Sequence, residues 1–283
     1  MSAKKIVVTG GAGRLGPYVV KRLKDRYDVI VLDLKPSDIP GVGHCDASIT
    51  DLDALRQAFR GVDGIIHLAA VPNPRTSTPE KCFTVNTQGT WCVLQAAEDA
   101  GVRRVVVASS DSATGLHYNP ENWMPQYLPV DEKHPLRPSE VYSLTKEITE
   151  SICRCFAARN KLEVIAIRPG HIVFKPEYPE IEARGSDVHN YHLWGYVAPE
   201  DVAQGFQLAL EHPDGSYDCI FIGAEDGMNT RPTLELIKER FGSVPEVKRP
   251  ELFMTIPTAG VFDITHAKEK LGYKPKYTWR DMR

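Results

Sequence analysis

Tyr142 and Lys146 stand four residues apart in Tyr142-Ser143-Leu144-Thr145-Lys146, about one helical turn, so a phenol and an ammonium can share one face. A cation beside a phenol favours the phenolate and readies the ring for proton transfer. A lone Tyr-x-x-x-Lys is a weak signal, because most such pairs are surface neighbours. Its weight here comes from order along the chain. Thr9-Gly10-Gly11-Ala12-Gly13-Arg14-Leu15-Gly16 follows an apolar run, Ser109-Ser110 closes a later one, and the Tyr/Lys pair comes after both. A nucleotide-binding turn followed by a poised phenol implies redox chemistry on a nucleotide cofactor.

The glycines define where a cofactor would lie. Gly10 permits a tight turn, Gly13 lets the backbone approach a pyrophosphate, and Gly16 lets the next helix pack on the preceding strand, with Arg14 and Leu15 in the same turn. Asp33 falls seventeen residues beyond Gly16, at the end of the second apolar run. A carboxylate there accepts the ribose hydroxyls and repels a 2′-phosphate, so the expected cofactor is NAD. Arg14 and Lys35 are the basic groups that could answer a 2′-phosphate instead. The backbone of His67-Leu68-Ala69-Ala70, after a later apolar run, is expected along the pyrophosphate and ribose, with the His67 side chain read as a satisfied core histidine.

Positioning these groups requires alternating strands and helices. Strand-like runs at 5–9, 29–33, 64–68, 104–109, 163–167 and 218–222 alternate with helical spacing at 17–24, 52–59, 86–100, 139–160 and 200–211. Near-continuous Val/Ile runs separated by amphipathic helices specify an α/β fold, a doubly wound parallel sheet of the Rossmann type. After Arg168-Pro169 the regular order breaks into Pro176, Pro179, Gly185 and an aromatic stretch from Tyr191 to Tyr196. The expected division is an NAD-binding domain over 1–168, a first piece of a small substrate lobe over 169–199, a returning helix and strand over 200–225, and a second lobe piece over 226–283.

Composition excludes several functions. The 283 residues are 42% hydrophobic, enough for a sizeable core, and 34 basic against 37 acidic side chains give a net charge of −3 with no basic run. A nucleic-acid partner is therefore not expected. No stretch of eighteen apolar residues and no signal-peptide core occur, so the reading is a cytoplasmic protein without a membrane partner. The six cysteines contain no Cys-x-x-Cys, and His189-Asn190-Tyr191-His192 lacks a supporting Cys or Glu cluster. Neither structural disulfides nor a metal site is expected.

Taken together, the glycine turn, Asp33, the run His67 to Ala70, Asn86, the Ser/Tyr/Lys set and the tail over 263–275 ending in Leu271-Gly272-Tyr273-Lys274-Pro275 resemble the extended short-chain dehydrogenases/reductases, also called the NAD-dependent epimerase/dehydratase family. The likeness runs nearly end to end. The Gly-x-x-Gly-x-x-Gly spacing is the variant that family uses. The resemblance implies that Tyr142 is the acid/base and that Lys146 binds the nicotinamide ribose. It places Asp46, followed by Ala47, where an acidic residue meets the adenine amino group. The residues alone leave Ser109, Ser110 and Ser112 competing to hydrogen-bond the reacting oxygen; the family's hydroxyl lies five before a glycine, and Gly115 points back to Ser110. Asn86, expected at a helix start, either fixes the catalytic geometry or caps the helix. Asp111 resembles part of the Thr-Asp-Glu of family dehydratases, but Ser112 stands where Glu is needed, which leaves elimination without its second carboxyl group.

Within the family the chain is most similar to uronate dehydrogenases. That likeness rests on Ala108-Ser109-Ser110 before Gly115, Trp194 seven residues before Asp201-Val202, and the Leu271-to-Pro275 end. After Arg168-Pro169 it reads Gly170-His171-Ile172, without the Asn that sugar-nucleotide enzymes often use. Two departures bear on substrate. The uronate enzymes' carboxylate-binding arginine falls on His189, and their Asn-His after the catalytic serine becomes Asp111-Ser112. Arg184 or His189 is the expected source of any charge for a substrate carboxylate, His171 and Trp194 are further candidate substrate residues, and the stretch with Pro120, Trp123, Pro125, Tyr127 and Pro129 is the expected pocket cap. The implied activity is NAD-dependent oxidation of a sugar, sugar acid or related polyol hydroxyl. The alternatives are a UDP-sugar 4-epimerase holding NAD tightly, a sugar-nucleotide dehydratase, and an inactive NAD-binding regulator. Apolar helices around 84–100 and 139–160, which pair in the family's four-helix interface, imply a homodimer.

Overall fold

Runs rich in Val, Ile and Leu offer no polar face to water, so they are stable only when paired with like strands and covered on both sides. The computed structural model describes residues 4–282 apart from Tyr118, Pro120, Pro213 and Asp214; Pro120 of the expected pocket cap thus lies outside the described residues. The elements are β1 (Lys5–Thr9), α1 (Gly16–Leu23), β2 (Asp28–Leu32), β3 (Gly43–Cys45), α2 (Leu52–Ala58), β4 (Gly64–His67), α3 (Pro79–Asp99), β5 (Arg104–Ala108), β6 (Tyr127–Leu128), α4 (Val141–Ala157), β7 (Glu163–Pro169), α5 (Ile181–Ser186), α6 (Pro199–Glu211), β8 (Tyr217–Ile222), α7 (Thr233–Phe241), β9 (Glu246–Val247), α8 (Pro250–Thr255) and α9 (Thr265–Leu271).

Seven strands form one sheet in the order β3-β2-β1-β4-β5-β7-β8, with the pairs from β3 through β7 parallel. The chain builds outward from β1 to β3, then returns to place β4 on the other side of β1. That reversal opens a crevice at the carboxyl ends of β1 and β4, where doubly wound sheets bind ligands. The expected α/β doubly wound fold is the one observed. A separate pair, β6 with β9, is also parallel.

Two compact units share the chain. The first comprises Met1–Ser109, Glu140–Ile167 and Ala203–Cys219; the second comprises Ser110–Ser139, Arg168–Val202 and Ile220–Arg283. Val7, Leu32, Ile65, Val105, Val164 and Phe156 belong to the core of the first, where buried Cys92 and Cys153 pack as small apolar groups. Leu128, Trp194, Phe221, Leu236, Ile237 and Phe262 belong to a core of the second. The stretch 110–139, read from sequence as part of the cofactor domain, clusters with the second unit.

Two further differences from the sequence reading have local causes. The helix expected from Asn86 begins seven residues earlier at Pro79, because Thr78 accepts a hydrogen bond from the Lys81 amide and Pro79 occupies the first turn. Asn86 is therefore inside α3, which removes the capping alternative of the two roles read for it. The strands β3, β6 and β9 have only two or three residues each, too few to show a pattern.

His67, at the end of β4, is buried between Thr9 Oγ1 at 2.7 Å and Thr90 Oγ1 at 3.3 Å. Burial, reinforced by nearby Lys146, pulls its pKa down to about 3. The unfolded chain takes up this proton below about pH 6.5 while the folded chain does not, so the residue's contribution is complete above 6.5 and is lost as pH falls toward 3. Urea denaturation of His67→Gln should show a shallower loss of stability between pH 6.5 and 4 than the parent, by up to about 1.4 kcal/mol per pH unit.

Candidate active site

The turn after β1 is shaped by what cannot be added to it. Gly10 has φ of 70°, and a Cβ there would lie 2.6 Å from the Ala69 amide nitrogen; a Cβ on Gly16 would overlap the Gly11 carbonyl. Only glycine lets the turn lie against the backbone that follows β4. Leu68 donates its amide to Thr9 O at 3.0 Å, Ala69 approaches Thr9 Oγ1 at 3.4 Å, and Ala70 is half-buried. Helix α1 begins without a side-chain cap; Pro17 brings no amide hydrogen and Tyr18 donates its amide to Leu15 O at 3.1 Å, so the helix offers its positive end to a ligand's phosphates through the turn before it. Gly13 and Arg14 are exposed in this turn and Leu15 is half-buried.

Asp33 lies one residue past β2. Its Oδ2 accepts the Ala12 amide at 3.1 Å and its Oδ1 the Lys35 amide at 3.2 Å. The register sets Leu32 opposite Cys45, so Asp33 and the exposed Asp46 step off neighbouring strands together, followed by buried Ala47. Turns after β1, β2, β3 and β4 thus gather glycine backbone, the uncapped start of α1 and a carboxylate at the carboxyl ends of the strands. The arrangement fits the pyrophosphate and adenosine ribose of NAD.

Helix α4 sets the reacting pair. Glu140 caps it, accepting the Tyr142 and Ser143 amides at 2.6 Å each. Lys146 is buried, donates to Ala108 O at 2.8 Å, and holds its Nζ 5.6 Å from the centroid of the Tyr142 ring. Burial draws its pKa down to about 8, opposed by Cys82, Cys153 and Glu150. Ser109 donates to the fully buried Glu150 at 2.6 Å, which occupies that hydroxyl. Asn86 accepts the Val71 amide at 2.8 Å and donates to Val71 O at 3.1 Å and to Thr145 Oγ1 at 3.0 Å. It ties the stretch after β4 to the turn of α4 between Tyr142 and Lys146. Sequence reasoning missed Glu140 and Glu150. Glu140 was detectable as a carboxylate at a helix start; Glu150 had no local signal.

Ser110 opens the second unit. Its hydroxyl donates to Asp111 Oδ1 at 3.1 Å and accepts the Ser112 amide at 3.1 Å, capping the short turn Asp111–Thr114. Burial raises the Asp111 pKa and lowers that of His117, whose Nδ1 lies 3.5 Å from Asp111 Oδ1. The rings of His117 and His192 meet edge-on at 5.2 Å, and His171 stacks on His192 at 3.9 Å. His117 escaped the sequence reading because a solitary histidine carries no spacing, and His192 was read only as half of a rejected metal motif with His189.

The other expected substrate residues fare differently. Arg184 is held by Glu177 at 3.0 Å and Glu180 at 2.6 Å, and His171 shares Glu177 at 3.0 Å. His189 is exposed, its backbone amide bonded to Asp187. Trp194 is buried in the second unit's core with its indole NH donated to Asp187 O at 3.0 Å. For Trp194 the substrate role gives way to a packing role, because neither its ring nor its NH is left for a ligand. Among the described residues no group of three His, Cys, Asp or Glu side chains is arranged to hold a metal ion.

Replacing Asp33 with Ser removes the carboxylate that disfavours a 2′-phosphate. In Asp33→Ser the ratio of kcat/KM for NAD over NADP should fall at least about tenfold, measured by initial rates with each cofactor.

Comparison with known proteins agrees with this geometry. An L-arabinose 1-dehydrogenase (NAD(P)(+)) of Haloferax volcanii is 31% identical over 78% of this chain and 89% of its own length. A UDP-glucose 4-epimerase of Streptomyces lividans is 27% identical over 96% of this chain and 91% of its own. A short-chain dehydrogenase/reductase superfamily protein of Agrobacterium tumefaciens, solved with NAD bound, superimposes with a TM-score of 0.74 at 26% identity, covering 98% of this chain and 94% of that one. Residues 6–184 match the family model described as NAD dependent epimerase/dehydratase. With that match over more than half its length, the chain belongs to the NAD-dependent epimerase/dehydratase family.

Proposed function

We propose that the chain is an NAD-dependent oxidoreductase that moves a hydride between a hydroxyl-bearing carbon of a sugar, sugar acid or related polyol and its cofactor. The observation that carries this reading is Lys146, fixed by the Ala108 carbonyl with its ammonium 5.6 Å from the Tyr142 ring. NAD, when bound, accepts or returns the hydride at its nicotinamide ring. Tyr142 removes the proton from the substrate hydroxyl as the carbon is oxidised, and gives it back in the reverse direction. Lys146 favours the phenolate by its charge and offers a donor to the nicotinamide ribose, while Ser110 hydrogen-bonds the reacting oxygen. Asn86 and Glu140 position α4 without touching substrate. The glycine turn, Arg14, Leu15, Asp33, Asp46, Ala47 and the stretch Leu68 to Ala70 hold the cofactor.

The similarity to a UDP-glucose 4-epimerase across 96% of the chain supports a second reading, in which NAD stays bound and the hydride is returned to the opposite face of the sugar carbon. Free NADH distinguishes the two: the dehydrogenase releases it with each turnover, and the epimerase does not. Tyr142→Phe should lower turnover at least about a hundredfold, the lower range for losing an acid/base group, with little change in NAD affinity. Wild-type rates would remove Tyr142 from the chemistry.

We further propose a homodimer through α3 and α4. Phe83 and Trp91 on α3 and Leu144 on α4 are 42%, 41% and 39% exposed, an apolar surface that a second copy would cover. Light scattering at micromolar concentration should give twice the 31.6 kDa chain mass; the single-chain mass would count against this assembly.

A further inference from the structure

His67 ends β4 and takes no part in the hydride transfer, yet it lies in a row of buried polar side chains. Thr9, Asn86, Thr90 and Thr145 are buried with it, all within the first compact unit. Buried polar groups are stable when each proton meets an acceptor, so the bonds reveal where the protons are.

A carbonyl oxygen can only accept, which fixes where the count begins. Thr90 gives its single hydroxyl proton to Asn86 O, one turn back on α3, at 2.7 Å. It therefore meets His67 Nε2, 3.3 Å away, as an acceptor, and Nε2 carries the hydrogen. Burial keeps the ring neutral, so Nδ1 is bare and accepts the Thr9 hydroxyl at 2.7 Å. A charged ring would donate from both nitrogens and displace the Thr9 proton. Thr9 Oγ1 is left to accept the Ala69 amide at 3.4 Å.

The same count holds on the far side of Asn86. Thr145 gives its proton to Tyr142 O at 2.7 Å and so accepts from Asn86 Nδ2 at 3.0 Å. Asn86 also exchanges two bonds with the Val71 backbone, at 2.8 and 3.1 Å. The donors thus all point one way, from Ala69 against the glycine turn, through Thr9, His67, Thr90 and Asn86, to the carbonyl of Tyr142. Breaking any of these bonds leaves a buried donor or acceptor unmatched, at a cost above the net worth of the bond.

We propose that His67, held as its Nε2-protonated tautomer, is a positioning residue that ties the stretch Leu68 to Ala70 to the turn of α4 bearing Tyr142. It acts through Thr90, Asn86 and Thr145 and not on substrate. The inference rests on the oxidoreductase reading above and extends it from the reacting groups to what sets their spacing from the cofactor.

Nitrogen NMR of the ligand-free protein should find the His67 hydrogen on Nε2; a hydrogen on Nδ1 would overturn the proposal. Thr90→Val removes the acceptor of that hydrogen while keeping the side chain's volume, and Thr90→Ser keeps the acceptor. In Thr90→Val the Kd for NAD should rise several-fold, and kcat for NADH formation from L-arabinose or D-galacturonate should fall about tenfold, the worth of about one hydrogen bond. Thr90→Ser should return both toward the parent values. Thr145→Val should lower kcat similarly, and in the double variant the two losses should overlap instead of multiplying, because both break one chain. A Thr90→Val protein with a lower Tm but the parent's Kd and kcat would show a histidine that serves the core alone, and would overturn the proposal. Epimerised UDP-galactose with no NADH from either sugar would replace the dehydrogenase reading, while the tautomer and the Kd for NAD decide the positioning role independently.

Discussion

A buried ammonium must recover the hydration it gives up, and Lys146 does so at the carbonyl that ends β5. That single bond couples helix to sheet. It fixes how far α4 can slide along the sheet edge, and with it where Tyr142 stands. The same burial that draws Lys146 down to about 8 leaves its charge sensitive to its neighbours, and Glu150 favours the charged form. The demand for a charged lysine in a nearly dry place is met by pairing the polar groups next to it. Ser109 satisfies Glu150, and Asn86 satisfies both Val71 and Thr145.

The fold was legible because its signals are periodic or steric. Apolar runs such as Ile6 to Val8 and Val105 to Val107 have no other stable arrangement than a covered parallel sheet. Gly10 and Gly16 announce a turn that no side chain could enter. Tyr142 and Lys146 were readable because one helical turn separates them. The two roles read for Asn86 could not be told apart in sequence because its partners, Val71 and Thr145, come from distant parts of the chain. His117 and Asp111 illustrate the same limit, since the meaning of each depends on the other. Trp194 was overread: a large aromatic in an irregular stretch suggests a ligand wall, yet its burial and the bond from its indole to Asp187 serve the core.

The two halves of the candidate chemistry obey different rules. The groups proposed to hold the cofactor sit in turns anchored directly at the ends of β1, β2, β3 and β4, where hydrogen-bond ladders fix the geometry and little change is tolerated. The groups read from sequence as candidate substrate contacts, such as Asp111, Ser112 and Arg184, lie in turns and short helices. Substitutions there leave the ladders alone. A family that keeps one redox apparatus while changing its sugars would be expected to vary in the second set.

Each compact unit is assembled from three separate stretches of chain. Strands β7 and β8 each begin in the first unit and end in the second. No contiguous fragment can therefore be cut out that contains one unit whole and nothing of the other. Cutting out either as an isolated piece would sever β7 and β8, and during synthesis the first unit has all of its parts once Cys219 is made, whereas the second waits for the stretch that follows.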